Sequence, residues 1–180
     1  MSLVSNLFLL FVAAAVIVYY LVPARWQWLV LLGFSYIYYI AGGIKYVGFL
    51  LFSTLVTWMI ALLIEKEETA GKHKRARKFV ILGLILNFGM LGLIKYTNFA
   101  VENLNALFHM NLRGMEILLP LGISFYTFQA LSYVIDVYRG EVPAQHNFWH
   151  MLLYISFFPQ LIAGPIVKYR DIAAQITGRK

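Results

Sequence analysis

Cysteine is absent from the 180-residue sequence, which excludes disulfide bonds, thiolate nucleophiles and Cys-ligated metal. Charge is scarce too: Asp, Glu, Lys and Arg make up only 13% of the chain, and acids number 8 against 15 bases. There is no G-x-S-x-G elbow, Walker loop, dinucleotide fingerprint or HExxH pair, so no self-contained catalytic set announces itself. Ser- or Pro-rich linkers and low-complexity tracts are also missing, which leaves residues 1–180 as one domain.

What the chain has is apolar surface. Hydrophobic residues make up 61% and aromatics 17%, with a mean hydropathy of +0.73, outside the range of a soluble globular domain and in that of an integral membrane protein. The net charge of +7 comes from short runs between apolar stretches. Such runs report topology and contact with anionic lipid; with no nucleic-acid-binding fold beside them, no nucleic-acid partner is expected.

Taken in order, residues 3–22 supply a first span of about 20 apolar residues, long enough for a hydrocarbon core. It has no basic leader or small-residue cleavage site and reads as retained. Pro23 stops it, and Arg25, Trp26 and Trp28 are interfacial anchors. A second span, residues 26–40, ends at Ala41, Gly42 and Gly43. A third, residues 44–64, carries Ser53, Thr54 and Thr57 as packing groups. The strongly charged run, residues 65–78, is cytoplasmic by the positive-inside rule, which puts the N-terminus outside. Residues 79–94 return the chain to the outer face. Residues 99–116, with Phe99, Leu104, Leu107 and Phe108 among Asn103, Asn105 and Arg113, suit a helix along the interface.

Pro120 starts the fifth span, LPLGISFYTFQALSYVIDVYRG (residues 119–140), which ends at the cytoplasmic side. The last apolar run, residues 148–167, is broken by Pro159, Gly164 and Pro165 and has basic residues on both flanks: Arg139, then Lys168, Arg170, Arg179 and Lys180. It is expected to be re-entrant or kinked, with its freed backbone groups facing protein or water. The expected fold is therefore all-α: a polytopic transmembrane helix bundle of about five spans plus a re-entrant or kinked sixth segment.

The fifth span alone carries polar groups through its middle. On a helix, Gly122, Phe125, Gln129, Ser132, Tyr133 and Asp136 share one face, and Ile123, Ala130, Leu131 and Val134 the opposite one. That pattern predicts lipid on one side and a polar neighbour on the other, because intramembrane amides and carboxylates face a bundle interior or cavity. Gln129 and Tyr133 are either helix glue or the lining of a polar tunnel; Ser132, Asp136 and Gln160 complete the tunnel-lining candidates. Asp136 and Arg139, three apart, either form an ion pair or anchor by snorkelling, the second being favoured. His146 and His150, four apart, would share a helix face as metal ligands or a proton relay do, but nothing completes such a site, and no metal is expected. His73 and His109 belong to polar segments.

Residues 119–140, followed by FFPQLIAGPIVKYRDI (residues 157–172), resemble the N-terminal half of the membrane-bound O-acyltransferases, in the branch of alginate O-acetyltransferases and D-alanyl-lipoteichoic acid transferases. LGLIKYTNFAVENLN (residues 91–105) and YYLVPARWQWLVLL (residues 19–32) are similar to the same branch. In this resemblance Pro120, Gly122, Arg139, Pro159, Gly164 and Pro165 are structural motif positions. It implies transfer of an acyl group, usually acetyl, from a donor such as acetyl-CoA or an acyl carrier to hydroxyls of an exported polysaccharide such as alginate. It further implies a multi-pass protein of the bacterial inner membrane, working with membrane or periplasmic helper proteins. The family's active histidine lies C-terminal to these motifs, and none of His73, His109, His146 or His150 matches it. The chain thus reads as the N-terminal part of such an enzyme, truncated and inactive alone. A non-catalytic membrane scaffold or assembly partner, and a small transporter component, are the competing readings.

Overall fold

The computed structural model describes residues 6–108, 122–163 and 167–177, and the described residues form helices and turns with no strand. Pro120, Gly164, Pro165 and His109 lie outside them. Helix α1 (Asn6–Leu21) is followed by a 3-10 turn at Ala24–Trp26, α2 (Gln27–Gly42) and α3 (Ile44–Thr69). Then come α4 (His73–Phe108), α5 (Ile123–Tyr138), α6 (Phe148–Ser156), α7 (Phe158–Ala163) and α8 (Tyr169–Thr177). Two helices, residues 46–69 of α3 and all of α4, are long and apolar enough to cross a membrane; α1 is a shorter apolar helix.

Central to the bundle, α3 packs against α2, α4, α5 and α6. Its contact with α4 is close because Gly83 faces Ile60: a Cβ at Gly83 would sit 3.1 Å from Ile60 Cγ2. An amide knits the pair together. Asn87 accepts from Ser53 Oγ at 2.7 Å and donates to the Gly83 carbonyl at 3.1 Å and Thr57 Oγ1 at 3.5 Å. Thr54 instead bonds within α3, to the Leu50 carbonyl. Around this core the surface is apolar: Leu9, Leu10, Ile17, Leu21, Leu93 and Leu107 are all exposed. Water would not tolerate so continuous an apolar surface, whereas lipid does.

The charged run is not a long loop. α3 continues to Thr69 and α4 begins at His73. The turn closes through Lys72 N–H to the Glu67 carbonyl and Gly71 N–H to the Glu68 carbonyl, with Gly71 at φ +69° where a side chain would be strained. His73 pairs with Glu68 across it.

Two further expectations are corrected. Residues 99–108 are not a separate interfacial helix but the end of the 36-residue α4, since no Gly or Pro interrupts residues 93–108 and Asn or Thr, though weak helix formers, do not by themselves end a helix; residues 109–116 of that expectation lie outside the described residues. Nor does α5 turn its apolar face to lipid. Ile123, Ala130, Leu131 and Val134 are buried along with Gln129, Tyr133 and Asp136, and the exposed large residues are Phe125 and Phe128. The reason is position: α3, α4 and α6 all pack on α5.

Candidate functional site

α5 ends as α3 does, with Glu141 N–H bonded to the Asp136 carbonyl and Gly140 at φ +71°. The chain then runs without regular structure to Asn147, whose backbone is extended and whose side chain accepts from the Trp149 N–H and starts α6. Nine residues later α6 stops, Phe157 breaks the helix, and α7 begins with Pro159 in its first turn, where a missing N–H is harmless. The freed backbone groups at this break are taken up by protein. Gln129 Nε2 donates to the Tyr154 carbonyl at 2.9 Å, and Ser35 Oγ of α2 accepts from the Phe158 N–H at 3.3 Å. Ser35 Oγ in turn donates to the Leu31 carbonyl.

Gln129 also donates to Gln160 Oε1 at 2.9 Å, so two of the tunnel-lining candidates meet at the junction between α6 and α7. Tyr133 lies in an aromatic cluster with Tyr154 and Tyr169, ring centroids 5.0–6.1 Å apart. Its hydroxyl accepts from the Gln145 N–H at 2.7 Å. Tyr154 donates to the Val167 carbonyl, tying the start of the break to the returning chain. Burial pushes the Tyr169 hydroxyl pKa up, opposed by the hydrogen bond it accepts from Gln145 Nε2. Ser132 is half-buried.

Asp136 does not pair with Arg139 and does not snorkel. It is buried at 4% exposure with Oδ2 lacking a hydrogen-bond partner, while Arg139 is exposed and sits 3.9 Å from Glu141. The Tyr126, Thr127 and Ser156 hydroxyls are likewise buried without a partner. His146 and His150 share no helix face, because α6 starts between them. His146 Nε2 is 3.0 Å from Glu65 Oε2, and His150 packs edge-on against Trp28. Open grooves score the surface of the described residues, three of them with the following linings. An apolar one of about 580 Å³ runs between α3 and α4 past Gly48 and Gly89; another of about 320 Å³ lies between α1, α2 and Phe157–Pro159. The third, about 590 Å³, includes Glu65, Lys66 and His146. None of these three is lined by Gln129, Ser132, Tyr133, Asp136 or Gln160.

Contacts that sequence reasoning passed over hold the segment's flanks. Glu65 Oε1 accepts from the Ala144 N–H at 2.8 Å, and Trp58 Nε1 donates to the Gln145 carbonyl at 2.8 Å. Arg170 reaches Glu141 at 3.4 Å. Both ends of residues 148–167 are therefore at one end of the bundle, beside the end of α3. Such pairings span 79 and 87 positions in the chain and leave no local signal.

The chain is similar to the probable alginate O-acetylase of Azotobacter vinelandii, 40% identical over 183 aligned residues that cover 97% of this chain and 36% of that protein. The Helicobacter pylori peptidoglycan O-acetyltransferase is 33% identical over 82% of this chain and 32% of its own length. A teichoic acid D-alanyltransferase of Lacticaseibacillus rhamnosus is 24% identical over 68% of this chain and 26% of its own length. The chain thus spans about a third of the length of the alginate O-acetylases it matches. No family model matches it. No solved structure matches it either.

Proposed function

The chain belongs to the membrane-bound O-acyltransferase family, in the branch of the alginate O-acetylases, and from that premise we propose that it forms part of the wall of an acyl-transfer tunnel. The observation that carries the reading is the match along nearly the whole chain to proteins named for O-acetyl transfer. The broken α6–α7 segment gives the wall its form.

In this reading α1 to α5 are five crossings with the N-terminus outside, and α6–α7 dips into the bacterial inner membrane from the cytoplasmic side and returns at α8. Charge placement supports it: residues 65–78, Arg139, Lys168 and Arg170 gather at the end where Glu65 meets His146. Nine residues of α6 rise about 13 Å, close to half of a hydrocarbon core of about 30 Å. The junction of Gln129 with Gln160 then falls near mid-membrane, where Tyr133, Ser132 and Asp136 continue the lining toward the cytoplasm. An acyl group, acetyl in the first instance, passes from a cytoplasmic donor, acetyl-CoA or an acyl carrier, to a hydroxyl of an exported polysaccharide such as alginate, with helper proteins presenting the acceptor. The general base is a histidine supplied by polypeptide outside these 180 residues. His73 and His146 are engaged with Glu68 and Glu65 at the charged end.

The test is transfer of labelled acetyl to polysaccharide in membranes containing either the full-length protein or residues 1–180. The full-length protein transfers acetyl and residues 1–180 do not. Turnover by residues 1–180 would contradict the placement of the base, and an inert full-length protein would contradict the acyltransferase reading.

A further inference from the structure

Gln145 lies in the stretch that connects α5 to α6, and each of its four polar groups has a partner: three on α5, α3 and α8, and one at the cap of α6. Its N–H donates to the Tyr133 hydroxyl of α5 at 2.7 Å, and its carbonyl accepts from Trp58 Nε1 of α3 at 2.8 Å. The side-chain Nε2 donates to the Tyr169 hydroxyl at the start of α8 at 2.7 Å, and Oε1 accepts from the N–H of Asn147, which caps α6, at 2.9 Å. The two backbone bonds fix where the broken segment leaves the bundle end. The two side-chain bonds do something else: they join the residue that starts α6 to the residue that starts α8, the two flanks of the segment.

We propose that Gln145 is a positioning residue that clasps both flanks of the α6–α7 segment together and thereby sets the depth of the Gln129–Gln160 junction; its service to acyl transfer rests on the reading above. The mechanism is geometric. Tyr169 packs edge-on against both Tyr133 and Tyr154, and Tyr154 supplies the carbonyl that Gln129 holds. A shift of α8 away from Gln145 is therefore transmitted through one aromatic layer to the junction. A loop with its four polar groups so engaged has little freedom, and losing the side-chain pair loosens the returning flank, which keeps only the Tyr154–Val167 bond, the Tyr169 ring contacts and the exposed Arg170–Glu141 pair, while the entering one stays held by Glu65 and Trp58.

The absence of native cysteine in this stretch permits a direct test. Cysteines replace Glu141 and Arg170, whose side chains meet at 3.4 Å across the two flanks, and are joined by a short bismaleimide in the full-length protein in membranes. Gln145→Leu, which keeps the bulk and both backbone bonds, is expected to lower cross-linking at least threefold and kcat for acetyl transfer at least tenfold, with KM changed less than twofold. Gln145→Glu retains an acceptor for the Asn147 N–H and one for the Tyr169 hydroxyl to donate to, so it restores cross-linking to within twofold of the parent. Tyr169→Phe reproduces Gln145→Leu, and the double variant is no worse than either alone. Unchanged cross-linking in Gln145→Leu, or a double variant with additive loss, would overturn the proposal. Cross-linking needs no turnover, so a parent protein that is inert but cross-links as described sinks the acyl-transfer reading and leaves the clasp standing.

Discussion

An amide held at 3% exposure with both of its N–H donors engaged, as in Gln129, cannot be replaced by an apolar side chain without stranding its acceptors. Gln129→Leu leaves the buried Tyr154 carbonyl and the partly buried Gln160 Oε1 short of a donor, a loss of about 1–3 kcal/mol. On the acyl-transfer function proposed above, this variant in the full-length protein is expected to lower acetyl transfer more than tenfold while the amount inserted in the membrane stays within twofold, read by activity against an immunoblot of washed membranes. Equal loss of both would reduce Gln129 to a purely structural tie. Asn87 makes a second case: Asn87→Leu removes the bonds to Ser53 and Thr57, a loss of about 0.6–2 kcal/mol for interhelical bonds in a membrane. Thermal unfolding in detergent should show it, and adding Ser53→Ala should lower the midpoint no further. Gln129 and Gln160 stand out in the sequence as amides in apolar runs, yet their contact, 31 positions apart, does not. Asp136 shows the opposite failing. The nearby Arg139 makes it look interfacial, and only the packing of α3, α4 and α6 on α5 buries it.

Among the elements, those bounded by Gly or Pro were legible: Pro23 ends α1, Gly43 separates α2 from α3, and Gly140 follows α5. The break after α6 was legible in kind, because Pro159 forbids one continuous helix, though not in its partners. α4 was not legible as one element. At 36 residues it is about 54 Å long and outruns a hydrocarbon core of about 30 Å, so its polar second half is the same helix beyond the apolar zone, not a new one. Its seam with α3 yields a contrast between two glycines. Gly83→Leu drives a side chain into Ile60 and separates the pair, destabilising by about 1–3 kcal/mol, whereas Gly89→Ala meets nothing within 4 Å and leaves stability unchanged or slightly improved. Unfolding midpoints of the two variants, measured side by side, check this.

For the whole molecule, the account depends on one topological feature: residues 148–167 enter and leave at the same end of the bundle, brought together by Gln145, Glu65 and the Arg170–Glu141 pair. Basic flanks on both sides of the run, with Pro159, Gly164 and Pro165 inside it, made a re-entrant or kinked segment the sequence's expectation, and the contacts between its described flanks support the first of the two. The most direct measurement introduces single cysteines at the exposed positions Lys74, Glu102, Asn147 and Lys168 and labels them with a membrane-impermeant maleimide in right-side-out and inside-out vesicles. The account predicts that positions 74, 147 and 168 react only from the cytoplasmic face and position 102 only from the outer face. Labelling of 147 and 168 from opposite faces would contradict it.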